Sequence, residues 1–310
     1  MIDPDRFAPW VSAEAVEHFK AQAGAQPPPG SDIAGLRAYY GAYNQRLLDV
    51  ALEHYPVKVV SDQVAGVNVH IVTPTNGITT SRTLVCLHGG AFMWGRGAGA
   101  LLEAVPVAAT TGMRIIAVEY ALAPEQVFPA AVNDVIAVYD ALLAAQPART
   151  IGIYGCSAGG ILTSQSVSRM IAEGIPVPGA IAMLCGTGLE MAGDSAASAA
   201  AFTGTPSEGD PPSLAALPYL ANADVADPLV FPGEHLDRLA MFPPSLLITG
   251  TRDFAASSVT VMHRRLLAAG VDASLIQFDG MWHAHHMATT LPEARETFVA
   301  LARFFAAHLA

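Results

Sequence analysis

From residue 57 onward, short apolar, β-rich runs alternate with longer segments of helical periodicity. The runs are Val57–Val60, Val67–Val72, Thr83–Leu87, Arg114–Glu119, Thr150–Tyr154, Ala180–Cys185, Ser245–Thr249 and Ser274–Phe278. Most are continuously apolar rather than strictly alternating, the pattern of strands covered on both faces. The first two are separated by a short turn, which predicts an antiparallel start. The rest are separated by helical patterns such as Ala130–Ala145, Gly159–Glu173, Ser257–Ala269 and Glu293–His308. That order predicts an α/β fold with an eight-stranded, mostly parallel sheet and helices on both faces.

Two stretches break the alternation. Residues 1–53 hold a candidate helix from Ser12, a breaker at Pro27–Gly30 and a second helix from Asp32 to about Glu53. Residues 189–235 are rich in Ala, Ser, Pro and Gly, with helical pieces near Ser213–Leu220. Neither has the apolar density to fold alone. The predicted organisation is an N-terminal cap segment over 1–53 and an α/β domain over 54–310, with a cap insertion around 189–235. Both cap pieces are expected over the carboxyl ends of the strands, where open α/β sheets place their sites. Tyr39, Tyr40 and Tyr43 of the second helix either line that entrance or pack the cap onto the core.

Composition narrows the functional classes. Hydrophobic residues make up 52% of the 310-residue chain and charged residues 14%, enough apolar surface for a large core. A formal net charge of -11 with no Lys/Arg run argues against a nucleic-acid partner. The three cysteines, Cys86, Cys156 and Cys185, form neither a disulfide framework nor a metal-spaced set. No apolar run reaches the ~18 residues of a membrane span, and the first residues show no signal-peptide pattern. The expectation is therefore a cytoplasmic protein with no membrane partner.

Three separated motifs carry chemistry. After the run Thr150–Tyr154 comes Gly155-Cys156-Ser157-Ala158-Gly159-Gly160, a G-x-S-x-G between a strand and a helix. Such a sharp turn presents the Ser157 hydroxyl at a helix N-terminus, where backbone N–H groups favour developing negative charge. Upstream, Thr83–Leu87 runs into His88-Gly89-Gly90-Ala91-Phe92, whose glycines can aim N–H groups at a carbonyl oxygen. The oxyanion donors predicted here are Gly89 and Gly90, with Ala91 as an alternative, together with Ala158. His88 precedes the nucleophile and is read as a residue that orders its loop. A serine hydroxyl needs an oriented base, and on this fold the chain order is Ser, acid, His. Asp253 follows one strand and His283 the next, which makes them the predicted acid and base. Asp279, His285 and His286 are their neighbouring competitors.

These residues resemble the bacterial hormone-sensitive-lipase-like (family IV) esterases, the α/β-hydrolase branch marked by H-G-G-G and G-D-S-A-G-G. Further matches are Glu119-Tyr120-Ala121-Leu122-Ala123-Pro124-Glu125, Phe128-Pro129-Ala130-Ala131, Asp134, and Asp227-Pro228-Leu229 followed by Pro232. The resemblance covers about residues 57–310. It implies an α/β-hydrolase fold with a helical cap, no metal or organic cofactor, a small-molecule ester of a short acyl chain as substrate, and the homodimer that members of the family often form. Three positions depart from it: Cys156 stands for the usual Asp, Ala91 for the third Gly and Ala121 for the usual Arg. Ala91 is expected to be tolerated with a negative φ. A serine carboxylesterase working through an acyl-enzyme is the resulting expectation. A lactonase or amide/carbamate hydrolase using the same site is the alternative, and a non-catalytic small-molecule receptor the remote one. Phe92, Trp94, Tyr39 and Trp282, with Met93 and Met281, are expected to wall the substrate pocket unless they belong to the core.

Overall fold

The computed structural model describes residues 6–22, 25–203 and 213–310, so the predicted cap pieces at 1–5, 23–24 and 204–212 lie outside the described residues. Eight strands form one sheet: β1 (Val57–Val64), β2 (Val67–Pro74), β3 (Thr83–Leu87), β4 (Arg114–Val118), β5 (Ile151–Cys156), β6 (Ala180–Leu184), β7 (Ser245–Arg252) and β8 (Ala273–Trp282). Their spatial order is β1-β2-β4-β3-β5-β6-β7-β8. β2 pairs antiparallel with both β1 and β4, and every other pairing is parallel. The described helices are α1 (Ala13–Gln22), α2 (Ile33–His54), α3 (Ala98–Thr111), α4 (Ala130–Leu143), α5 (Ala158–Glu173), α6 (Asp194–Thr203), α7 (Leu236–Leu239), α8 (Ala256–Ala268) and α9 (Pro292–His308).

The period-2 geometry of a strand sends alternate side chains into two cores. Val85 and Leu87 of β3, Ile116 and Val118 of β4 and Ile181 and Met183 of β6 face one core, built with α4, α5 and α8. Leu84 and Cys86, Ile115 and Ala117, and Ala182 and Leu184 face the other, where α3 and α9 pack and Leu48 and Ala51 of α2 join them. All five residues of β3 and of β6 are buried, so the sequence shows an unbroken apolar run rather than an alternation.

Helix ends are set by familiar signals. The Asp32 carboxylate accepts the Gly35 N–H at 2.8 Å and starts α2, whose buried residues Asn44, Leu48 and Ala51 mark its inner stripe. Gly112 closes α3 and Gly174 closes α5 in the left-handed conformation.

The strand order reverses at β3, with β4 on one side and β5 on the other. That reversal opens a crevice at the carboxyl ends of β3 and β5. The Gly89–Ala91 loop leaves β3 there and Ser157 leaves β5 there. β7 and β8 run further than their apolar runs predict, to Arg252 and Trp282, so Asp253 and His283 are the first residues beyond their strands. No described helix is long and apolar enough to cross a membrane.

Candidate active site

Ser157 sits at φ 55°, ψ -120°, a conformation that side-chain-bearing residues rarely adopt. The turn is held because the Ser157 N–H donates to Leu184 O at 2.8 Å and α5 begins at once, with Ile161 N–H donating to Ser157 O at 3.1 Å. The following glycine is a matter of approach, not of φ. A Cβ built on Gly159 would lie 1.7 Å from the carbonyl oxygen of Leu87, the last residue of β3. Gly159→Ala must therefore push α5 away from β3. We expect a loss of about 3 kcal/mol or more of stability, the upper range for overpacking, read as a fall in Tm with disturbed access to Ser157. An unchanged Tm would show that the helix can move freely at this point.

His283 is positioned twice. Its Nδ1 donates to Asp253 Oδ1 at 2.7 Å, and its ring stacks on Phe254 with centroids 4.1 Å apart. Asp253 is itself fully buried and held by two further donors. Ala255 N–H reaches Oδ1 at 2.9 Å and Thr249 Oγ1 reaches Oδ2 at 2.7 Å. Burial pushes this carboxyl up, but the electrostatic interaction with His283 and these hydrogen bonds outweigh it and hold the group below its ordinary value. Asp253 is thus a carboxylate fixed at the Nδ1 edge of the imidazole.

The competitors are engaged elsewhere. Asp279 accepts from Trp10 Nε1 at 2.8 Å and from Thr251 Oγ1 at 3.1 Å, on the outer side of the strand ends. His285 meets Thr297 Oγ1 at 3.2 Å, and burial lowers it to about 4 and His286 to about 3. His88 is fully buried, donates from Nδ1 to Gly89 O at 2.7 Å and stacks on Tyr120 at 4.2 Å. It orders the loop as the sequence suggested, and burial lowers it to about 4.

The loop after β3 corrects one predicted donor. Gly89 N–H is taken: it donates to Glu103 Oε1 at 2.7 Å. Among the described residues, the N–H groups of Gly90, Ala91 and Ala158 have no hydrogen-bond partner within the chain, and these are the donors left to an oxyanion. A second expectation also fails. Ala91 has φ 50° and Phe92 φ 59°, so Ala91 occupies the left-handed region rather than a negative φ. Gly90, at φ 121°, is tight as well, since a Cβ there would lie 2.1 Å from Trp94 O.

Ser157, His283, Gly90 and Ala91 open onto one cavity of about 360 Å³. Its walls come from Gln22 of α1, from Tyr40, Tyr43, Asn44 and Leu47 of α2, and from Trp94, Phe254, Trp282 and Met287, with Glu103 and Cys156 beside the nucleophile. Trp94 and Trp282 are therefore where they were expected, and Trp94 stacks flat on Tyr40 at 4.5 Å. Phe92 and Tyr39 are not. Phe92 is fully buried and stacks on Tyr219 at 4.0 Å, inside the core, because its positive φ turns the side chain inward. Tyr39 leans edge-on against Tyr40 from outside the cavity. Met281 is buried in the core. Of the two predicted cap pieces, the N-terminal one supplies the wall; the described part of 189–235 contributes none of the lining. Arg37 pins α2 to the site by donating to Met93 O at 2.8 Å, to Ala123 O at 3.0 Å and to both carboxylate oxygens of Glu125.

Residues 84–287 match the family described as alpha/beta hydrolase fold. The chain belongs to that family. The hydrolase is 32% identical over 269 residues to a Mycobacterium tuberculosis protein provisionally named acetyl-hydrolase LipR, covering 79% of each chain. It is 29% identical over 223 residues to the acetyl-hydrolase of Streptomyces hygroscopicus, covering 69% of this chain and 72% of that one. Among solved structures, esterase E25 superposes with a TM-score of 0.85 at 28% identity, covering 100% of this chain and 98% of the other. An esterase of the bacterial hormone-sensitive lipase family gives a TM-score of 0.84 at 26% identity, covering 96% and 97%. The resemblance read from the motifs thus holds across the whole fold. Sequence reasoning missed Glu103, Thr249 and Asn44 as parts of the site. Glu103 had a signal: a lone carboxylate inside the apolar stretch Leu101–Ala109 must be buried against a donor.

Proposed function

We propose that the hydrolase is a serine carboxylesterase that cleaves short-acyl esters through a covalent acyl-enzyme. The observation that carries this reading is the shared cavity. Ser157, an imidazole held by a buried carboxylate, and the unengaged N–H groups of Gly90 and Ala91 meet there, and Ala158, whose N–H is also unengaged, follows Ser157 directly in the chain. Chemically, Ser157 Oγ attacks the ester carbonyl while His283 Nε2 takes its proton. The carbonyl oxygen becomes an oxyanion facing the N–H groups of Gly90, Ala91 and Ala158, donors that need no reorganisation as charge develops. His283 returns the proton to the departing alcohol. Water, deprotonated by the same imidazole, then attacks the acyl-enzyme and releases the acid and free Ser157. Asp253 stays ionised throughout and stabilises the imidazolium formed in each half-reaction.

The short-acyl preference rests on volume. A cavity of about 360 Å³ stands near the small end of the ~300–1,000 Å³ range of ligand sites, and bulky Trp94, Tyr40 and Trp282 bound it. The acetyl-hydrolase names of the two relatives point the same way. The test is a series of p-nitrophenyl esters from acetate through butyrate and octanoate to palmitate. We expect kcat/KM to be greatest for acetate or butyrate and to fall by about tenfold or more for acyl chains the cavity does not hold. A folded protein inactive on every ester would end the esterase reading. Greatest activity on palmitate would end the short-acyl part of it.

A further inference from the structure

The residue before the nucleophile is Cys156, where the resembling esterases carry Asp, and a carboxyl group from another element lies beside it. It comes from α3. Glu103 is 3% exposed, and its Oε1 accepts the Gly89 N–H at 2.7 Å. The backbone of Cys156 lies near enough to the same carboxyl to lower its pKa, and the Tyr154 hydroxyl of β5 donates to the Glu103 carbonyl oxygen at 3.1 Å. A Glu103 carboxyl oxygen, Cys156 Sγ and a ring nitrogen of His286 lie within 4.8 Å of one another. One side chain thus ties the loop after β3 to the turn that bears Ser157.

We propose that Glu103 is a positioning residue for ester hydrolysis, supplying from α3 a carboxyl group beside position 156 and holding the Gly89–Ala91 loop so that Gly90 and Ala91 face the oxyanion. By occupying Gly89 N–H it fixes the peptide that precedes the two donors. The tie matters because Gly90, Ala91 and Phe92 all have positive φ, and a loop so strained needs an external hold. The inference rests on the esterase reading above.

The state of the carboxyl makes the proposal testable. Burial raises Glu103 to about 8, against the pull of the nearby Gly89 and Cys156 backbone. Its other oxygen, Oε2, is buried and unpartnered, the place for a proton. The titratable groups around it are Cys86 of β3, Tyr120, Tyr154 and Cys156 of β5, and His286. Burial raises Cys86, Tyr120 and Tyr154 well above their ordinary values, contact with Cys185 together with burial does the same for Cys156, and burial keeps His286 neutral. Of these groups Glu103 is the one that changes charge near pH 8. Below that pH it is a neutral acid; above it, a carboxylate stands next to the forming oxyanion and disfavours it. Activity is therefore expected to fall as pH rises through about 8.

The experiment compares Glu103→Leu, Glu103→Gln and Glu103→Leu/Cys156→Asp with the native hydrolase on p-nitrophenyl acetate. Glu103→Leu keeps bulk but removes the acceptor, and is expected to lower kcat by on the order of 10²-fold, the scale of one oxyanion donor, with little change in KM. Adding Cys156→Asp returns a carboxyl oxygen to accept from the loop and is expected to recover about tenfold or more of that loss. Glu103→Gln keeps an oxygen for Gly89 but cannot ionise. It is expected to stay close to native kcat at neutral pH and to lose the alkaline fall. A folded Glu103→Leu with native kcat overturns the proposal, as does a double variant with no recovery. If Glu103→Leu does not fold, Glu103→Gln decides: an alkaline fall identical to the native one overturns the role. Native activity in the same assay separates any such failure from failure of the esterase reading.

Discussion

Ser157→Ala is expected to lower kcat on p-nitrophenyl acetate by about 10⁵–10⁶-fold, with KM little changed and Tm close to native. The size follows from losing covalent catalysis altogether. Removing a serine nucleophile costs about 10⁶ in kcat, and what survives over water comes from the oxyanion donors and binding. Here the proposed donors, the N–H groups of Gly90, Ala91 and Ala158, belong to the backbone and remain after the change. Stability should hardly fall, since no hydrogen bond from the Ser157 hydroxyl contributes to the fold among the described residues. It should if anything be spared, because the strained φ of 55° is imposed by Leu184 O, Gly159 and α5 rather than by the side chain. Mass spectrometry after a slow ester provides the check on mechanism: the native protein should carry one acyl group and the variant none. Retention of more than a few per cent of native kcat would mean that another group attacks the ester.

How this site is assembled explains what could be read from the chain and what could not. Strands buried on both faces are continuous apolar runs, so β3, β5, β6 and β7 were visible, and the residues just past their ends fell on one edge of the sheet. Ser157, Asp253 and His283 follow from that logic because their place depends on the backbone path. The missed or misplaced residues depend instead on side-chain direction. Phe92 and Trp94 are two residues apart in one loop, yet the positive φ at Ala91 and Phe92 sends the first into the core and leaves the second on the cavity wall. The same holds for Tyr39 and Tyr40, neighbours on α2 that differ by about 100° around the helix axis. α3 escaped notice for another reason. Gly97, Gly99 and Pro106 interrupt its helical pattern, and its apolar residues surround it because it is buried against β2, β4, α2 and α9. Glu103 rides on that helix, so the carboxyl that holds the oxyanion loop was hidden with it. The departure at Cys156 reads as a lost charge in the sequence; in space the buried acid Glu103 lies beside it, on another element.

The second large effect separates orientation from charge at Asp253. Asp253→Ala is expected to cost about 10⁴-fold in kcat, the scale for removing a triad acid. Asp253→Asn is expected to cost less, because the surroundings dictate which way the amide faces. Two donors converge on the Oδ1 position, His283 Nδ1–H at 2.7 Å and Ala255 N–H at 2.9 Å, so the amide oxygen must take that place. The amide nitrogen then falls at the Oδ2 position, opposite Thr249 Oγ1, a hydroxyl that can turn from donor to acceptor. His283 keeps its proton on Nδ1 and its stacking on Phe254. The ~10⁴ penalty known for an amide that forces the wrong imidazole tautomer is thereby avoided, and what is lost is the negative charge behind the imidazolium. We expect a kcat loss of roughly 10²–10³-fold, restored no further by raising pH. A loss equal to that of Asp253→Ala would show that the amide has flipped and that Ala255 N–H does not control it. The same substitution has a signature in stability. Because the folded carboxyl lies below its ordinary value, it stabilises the fold above the usual carboxylate range and loses that contribution as pH falls through the folded value. Asp253→Asn should therefore be less stable than native at neutral pH, with the difference closing in acid. A gap that stayed constant down to low pH would mean that Asp253 is not ionised in the folded hydrolase, and with it the charge-stabilised imidazolium would fall.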